Sequence, residues 1–162
     1  MRETDKYIFF WGSFLSNFIP NDLKIKYNNL IFTNSEQLFM WHKAQYFRDY
    51  DKGTEILELG NEPKIAKKLG REVKNYDDAS WSKVREFYMF LAIKSKFDSS
   101  EELIQKLIAT GDKILVEANP FDPIWAIGLK YDNDLVLDEK NWKGINLLGK
   151  VLMNVRKTYT NV

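Results

Sequence analysis

Glu36 and Lys43 stand seven residues apart in the tract Thr33-Asn-Ser-Glu-Gln-Leu-Phe-Met-Trp-His-Lys-Ala-Gln-Tyr-Phe47. Small polar residues suited to capping a helix open the tract, and no glycine or proline interrupts it. Wound as a helix, it sets a carboxylate and an amine two turns apart on one face, flanked by Phe39, Met40 and Phe47. That pair is either an acid–base couple in an apolar pocket or a surface ion pair with apolar neighbours. Spacing alone favours the surface pair, because most exposed helix charges do little. The rest of the chain has to decide.

Four further stretches depart from ordinary core and surface patterns. In Phe9-Phe-Trp-Gly-Ser-Phe-Leu-Ser-Asn-Phe-Ile-Pro20 aromatics alternate with small polar residues, which suits either a ligand-lining loop or an aromatic plug over one end of the core. Lys64, Lys67, Lys68 and Arg71 recur at helical spacing, as a phosphate-binding face or a solvated one. Asp122 lies between Pro120 and Pro123 and three residues before Trp125. Each proline fixes its own φ, so the turn is stiff and presents a carboxylate beside a flat ring, or simply a turn aspartate beside a core tryptophan. Asn146 stands at the entrance of the last helix, where a helix cap accounts for it. Trp81, ahead of a long helix, reads as core.

Composition narrows the chemistry. The 162 residues suit a single domain, residues 1–162, and 44% hydrophobic content supplies a core. Aromatics reach 15%, including five Trp and eight Tyr, enough for both core filling and stacking surfaces. Lys plus Arg total 24 against 23 Asp plus Glu, a net charge of +1 that argues against a broad non-specific nucleic-acid surface. With no cysteine and a single histidine, His42, disulfides, thiol nucleophiles and cysteine- or histidine-rich metal sites are excluded. No apolar run has the length of a membrane span, and the first residues lack a signal-peptide core, so a cytoplasmic protein without membrane contact is expected. Phosphate-loop, dinucleotide-binding and nucleophile-elbow motifs are absent. What remains is carboxylate chemistry, with two carboxylates among aromatics and cations suited to cleaving a glycosidic bond.

The elements that would position these groups follow from local signals. Tyr7–Trp11 reads as a strand, and 24–27 with 30–33 as a hairpin about Asn28-Asn29. Helices are expected over Ser35–Phe47, Thr54–Leu59 ended by Gly60, and Pro63–Leu69 stopped by Gly70. A long helix follows from a cap within Asp77–Ser82 to Lys96, with Val84, Phe87, Tyr88, Leu91 and Ala92 as its core face. Ser99 and Glu102 form a capping box for Glu101–Ala109, ended by Gly111. Ile114–Val116 is a strand or a buried connection, and Leu147–Tyr159 closes the chain as a helix. The fold class is mainly α (α+β), with a small N-terminal β-hairpin.

Taken in order, these stretches resemble the YbiA/NADAR family (NAD- and ADP-ribose-associated). The match runs through Ser16-Asn-Phe18, Thr33-Asn-Ser-Glu-Gln37 to Lys43-Ala44, Ala66-Lys-Lys-Leu-Gly-Arg71, and Trp81 with Arg85 and Met89. It continues through Lys96-Phe97, Thr110-Gly-Asp112, Leu115-Val-Glu117, Asp122-x-x-Trp125, Trp142-x-Gly-x-Asn146-x-Leu-Gly149 and Met153-x-x-Arg156. One departure is Ala126, where the family usually has glycine; a methyl there would narrow a cleft, or shift the backbone if that glycine needed a positive φ. Lys130–Asn141 matches nothing strongly.

The resemblance implies a compact YbiA-like fold and N-glycosidase activity on ribosylated bases or amines, without cofactor or metal. Two substrate classes go with it: ADP-ribose on guanine in nucleic acid, and the phosphoribosylamino-pyrimidine intermediates of riboflavin synthesis. The family's catalytic glutamate falls on Glu36, its catalytic or base-stacking tryptophan on Trp81, its Asp-x-x-Trp pair on Asp122 and Trp125, and a motif lysine on Lys43. On this reading Glu36 activates water or stabilises an oxocarbenium-like C1′, and Asp122 orients ribose hydroxyls or protonates the leaving group. Trp81 and Trp125 stack on the base, Asn17 and Asn146 bind substrate, and Lys43 with Arg71 meets phosphate. Lys43 has a second possible role, as a nucleophile that forms a Schiff base with a ring-opened ribose. Glu36 and Lys43 are then expected to face a cleft closed by Trp81, Asp122 and Trp125. A non-catalytic ADP-ribose or nucleotide-binding module is the alternative, keeping the aromatics and basic helix without needing Glu36.

Overall fold

The computed structural model describes residues 1–18 and 23–160; Ile19 and Pro20, the end of the aromatic loop, lie outside them. In chain order these residues form β1 (Arg2–Glu3), β2 (Tyr7–Phe10), β3 (Ile25–Tyr27), β4 (Leu30–Phe32), α1 (Ser35–Tyr46), α2 (Tyr50–Leu57), α3 (Pro63–Arg71), α4 (Asp78–Asp98), α5 (Glu101–Ile108), β5 (Ile114–Glu117) and α6 (Leu147–Thr160). Short 3-10 turns at Asp134–Leu137 and Glu139–Asn141 precede α6. The chain divides into two compact units, one made of residues 1–16 and 102–162, the other of 17–101.

The first unit is built on a three-stranded sheet of order β1-β2-β5. β1 runs antiparallel to β2, while β5 lies parallel to it in the register Tyr7↔Ile114 through Phe10↔Glu117. All four residues of β2 are buried, as expected of a strand covered on both faces. Tyr7, Phe9, Val116, Ala118, Ile127, Leu129 and Val136 form a buried cluster, with Ile114, Tyr131 and Trp142 packed against it. α6 packs on β5 and brings seven buried residues, among them Val151, Leu152 and Val155. Gly149 is required by that approach, since a Cβ there would overlap the Leu115 carbonyl and the Asn146 side chain.

The second unit wraps α1 with α2, α3 and α4 and adds the β3–β4 hairpin. Asn28 (φ 47°) and Asn29 (φ 62°) both adopt the left-handed conformation of a two-residue hairpin turn, which asparagine tolerates better than most residues. α1 is buried along most of its length, from Ser35 to Met40 and at His42 and Ala44. That burial removes the surface-pair reading of Glu36. α2 begins at Tyr50 rather than Thr54 because Asp49 caps it, one carboxylate oxygen accepting from Lys52 N and the other from Lys74 N. It ends at Leu57, before Gly60. Gly70 does not stop α3, which runs on to Arg71. Its small size serves packing instead: a Cβ at Gly70 would overlap the Met40 side chain of α1.

α4 starts where expected, with the Asp77 side chain accepting from Ser80 N at 2.8 Å. Its buried line, however, is Trp81, Met89, Ala92, Ile93, Lys96 and Phe97. Of the residues read as its core face only Ala92 is fully buried, and Phe87 is 59% exposed. The stripe is displaced by about one position and passes through Arg85, a charge that a hydrophobic pattern overlooks. The Ser99–Glu102 capping box is absent as well: Ser99 closes α4, its hydroxyl donating to the Lys96 carbonyl at 2.6 Å.

Candidate functional site

In the second unit the Thr33–Gln37 motif divides its labour residue by residue. The Asn34 side chain caps α1 by accepting from Gln37 N at 2.8 Å. Gln37 Oε1 accepts from both the amide and the hydroxyl of Thr33, while its amide nitrogen donates to the carbonyls of Ile56, Leu57 and Leu59 at the end of α2. The Ser35 hydroxyl donates to Asn17 Oδ1 at 2.8 Å, and Asn17 Nδ2 reaches the Met89 sulfur at 3.1 Å. None of these bonds uses Glu36, which is only 5% exposed. The motif therefore fixes the first turn of α1 and sets one buried carboxylate in it. Asn17, expected to bind substrate, is 4% exposed with both ends of its amide engaged; it ties its loop to α1 and α4.

Two turns further on, Lys43 is half-buried, with Nζ 4.3 Å from the centre of the Tyr76 ring. Burial pushes its pKa down, and the neighbouring Arg71 charge pushes the same way. Glu36 and Asp78 oppose that shift but do not cancel it. Tyr76 donates its hydroxyl to Asp78 at 2.7 Å. Trp81 closes this region from α4. It is 5% exposed, stacked on Tyr88 (5.8 Å, 12°) and tilted against Phe39, Tyr46 and Phe47. Of the basic helix, Lys64, Lys68 and Arg71 are exposed, while Lys67 sits 5.0 Å from the Phe18 ring.

Tyr76, Asp78 and Arg85 escaped the residue-level reading, although Arg85 belongs to the matched motif. His42, one residue before Lys43, is another such residue. It is 3% exposed among the rings of Tyr27, Trp41 and Tyr88, and its Nε2 has no hydrogen-bond partner. Burial pushes its pKa down to about 4. The unfolded chain, with an ordinary histidine pKa near 6.5, therefore binds more protons than the fold between about pH 6.5 and 4. Stability is full above pH 6.5 and falls as the pH drops through that window, at up to about 1.4 kcal/mol per pH unit. Urea unfolding at pH 7 and pH 5 should show this loss in the wild type and a smaller one in His42→Phe.

In the first unit Asp122 Oδ1 accepts from Ile124 N (3.0 Å) and Trp125 N (2.8 Å), so the aspartate shapes its own turn. Trp125 is half-buried rather than core. Ala126 is fully buried and its φ is not positive, so the methyl that replaces the family glycine carries no backbone strain. Asn146 is not a side-chain cap. At φ 52° it turns its amide onto β5, accepting from Glu117 N at 3.0 Å and donating to the Leu115 carbonyl at 2.9 Å. Both amide ends are thus engaged in holding the strand edge. Arg156, 8% exposed, donates to the Thr110 hydroxyl and the Lys113 carbonyl, which gives two more matched motifs a structural purpose.

The NADAR domain profile matches residues 2–159, nearly the whole chain and both units. The chain belongs to the NADAR family. Among curated relatives, N-glycosidase R617 of Acanthamoeba polyphaga mimivirus is 37% identical over 96% of this chain and 97% of its own length. N-glycosidase YbiA of Shigella flexneri is 32% identical over 91% of this chain and 81% of its own. The NMR structure of E. coli YbiA aligns with a TM-score of 0.77 at 28% identity, covering 99% of this chain and 88% of that one. The α+β fold expected from the sequence is therefore that of a solved NADAR relative, and the relatives' names support a hydrolytic, glycosidase-type function. No helix among the described residues is long and apolar enough to cross a membrane, and none of their His, Asp and Glu side chains cluster as a metal site.

Proposed function

We propose that this NADAR chain hydrolyses the N-glycosidic bond between ribose C1′ and the nitrogen of a base or amine, with Glu36 and Lys43 as its reacting groups. The observation that carries this reading is the pairing of a buried carboxylate with a half-buried amine whose ammonium form is disfavoured. Desolvation beside another cation is a recognised way to make a lysine nucleophilic.

The covalent route balances as follows. The ribose ring opens at C1′–O4′, with O4′ taking a proton, and the neutral Lys43 amine adds to C1′. The C1′–N bond then breaks, its electron pair going to the leaving nitrogen, which takes a proton. Water adds to the resulting imine, and loss of the C1′–Nζ bond returns the amine and releases the sugar as an aldehyde. The sum is hydrolysis. Glu36 carries the protons and directs the water.

The substrate classes are ADP-ribosylated guanine and phosphoribosylamino-pyrimidines. The +1 net charge favours a small molecule or a nucleic-acid end over long duplex contacts. Incubating the protein with each substrate and measuring released base separates the two classes. Release from one of them is expected; binding without release from either would leave the non-catalytic module in its place.

A further inference from the structure

Resting on that reading, we infer that Arg85, beside Tyr76, and Arg71, beside Lys43, form an anion subsite that takes the phosphate group of the ribosyl substrate and leaves Lys43 for the chemistry.

Three helices converge here. Lys43 of α1 places its Nζ over the Tyr76 ring, Arg71 ends α3 close enough to act on Lys43, and Arg85 of α4 acts on the Tyr76 hydroxyl. The acidic groups beside them are Glu36, buried in α1, and Asp78, which accepts from the Tyr76 hydroxyl. Asp77 also acts on Tyr76, but its carboxylate is engaged in capping α4 through Ser80 N.

Several cations elsewhere are paired, although others, such as Arg48 and Lys64, have no ion pair among the described residues. Lys52 pairs with Glu55 and Glu72, Lys94 with Asp98, Lys106 with Glu102, Lys113 with Glu3, and Arg2 with Asp134. Among the described residues neither Arg71 nor Arg85 has an ion pair or a hydrogen bond. Arg85 is the more telling of the two. It lies on the inward stripe of α4, one turn beyond the buried Trp81 and one turn before the buried Met89, and its Nε is buried without a partner.

A desolvated guanidinium donor is costly to leave unmatched, and its planar fork fits two oxygens of a phosphate at once. Lys43 offers only a point charge, and its ammonium is already disfavoured at this place. The arginines therefore suit phosphate and the lysine suits C1′. A phosphomonoester and a diphosphate present the same oxygens, so both sources are tested.

Calorimetric titration of the whole protein with ribose, ribose 5-phosphate and ADP-ribose reads the subsite without any turnover. Wild type should bind at least one phosphorylated ligand roughly 10- to 100-fold more tightly than ribose, the scale of one or two charge-assisted hydrogen bonds. Arg85→Gln should lose most of that advantage while its affinity for ribose stays the same. Arg71→Gln, at an exposed helix end where the fold is not at stake, should lose several-fold. Preference of wild type for ribose 5-phosphate identifies a monoester subsite, and preference for ADP-ribose a diphosphate one. Equal affinities for ribose and both phosphorylated ligands in wild type, or full phosphate affinity retained in both variants, would overturn the inference. Failure to release base would count against the glycosidase reading and leave these affinities standing.

Discussion

Glu36→Gln is expected to keep the fold and lower turnover by roughly 10²- to 10⁴-fold, the range for losing an essential acid or base. The substitution is nearly isosteric. Bonds from Thr33, Asn34, Ser35 and Gln37 build the first turn of α1 and are unchanged by the substitution. Circular dichroism and the melting transition should therefore match wild type while base release collapses. A second consequence separates this loss from a generic one. The Glu36 charge raises the Lys43 pKa, against the larger downward push of burial. Removing it should lower that pKa further and move the Lys43 titration to lower pH. Reactivity of the amine toward a lysine-directed aldehyde probe, followed against pH, reads that shift. Near wild-type turnover in Glu36→Gln would remove this carboxylate from the mechanism.

What the sequence made legible was local. Asn34 before α1, Asn28-Asn29 between β3 and β4, Pro63 at the start of α3 and Asp77 before α4 each act through backbone bonds within a few residues, and each stands where its chemistry predicts. Glu36 and Lys43 were visible for a similar reason, as they share one helix. The pairing of Tyr7 with Ile114 was not, because the whole second unit lies between the two strands and no local pattern records it. Asn146 shows the same limit at one residue. Its position before α6 predicts a cap, yet its amide bonds to a strand about thirty residues earlier. Arg85 was hidden by its charge: a search for apolar spacing selects Phe87, which faces outward, and skips the guanidinium on the buried stripe. Residues that hold a NADAR fold together and some of those around the proposed reacting pair, Arg71 and Arg85 among them, thus sit in the same matched motifs, and burial and bonding tell them apart.

The covalent role of Lys43 gives the largest expected effect. Borohydride added during turnover should reduce the C1′ imine to a stable secondary amine, and mass spectrometry of the digested protein should place the sugar on the peptide carrying Lys43. Lys43→Arg keeps a cation over Tyr76 but has no amine to add to C1′, so its activity should fall by roughly 10⁴-fold or more, the scale of losing a nucleophile. The size of that loss discriminates between roles. A lysine that only met phosphate would be replaced tolerably by arginine, whose fork binds phosphate well, and the change would appear in KM. Loss in kcat with substrate affinity retained is the outcome that fits a nucleophile flanked by arginines that hold the phosphate. Full activity in Lys43→Arg, with no trapped adduct in wild type, would return the chemistry to a water molecule directed by Glu36. The pH dependence adds an independent reading. Because burial and then Arg71 hold the Lys43 pKa down, turnover limited by the neutral amine should rise with pH and level off below the range of an ordinary lysine. Arg71→Gln removes one of those two downward pushes, so the same limb of the profile should move to higher pH.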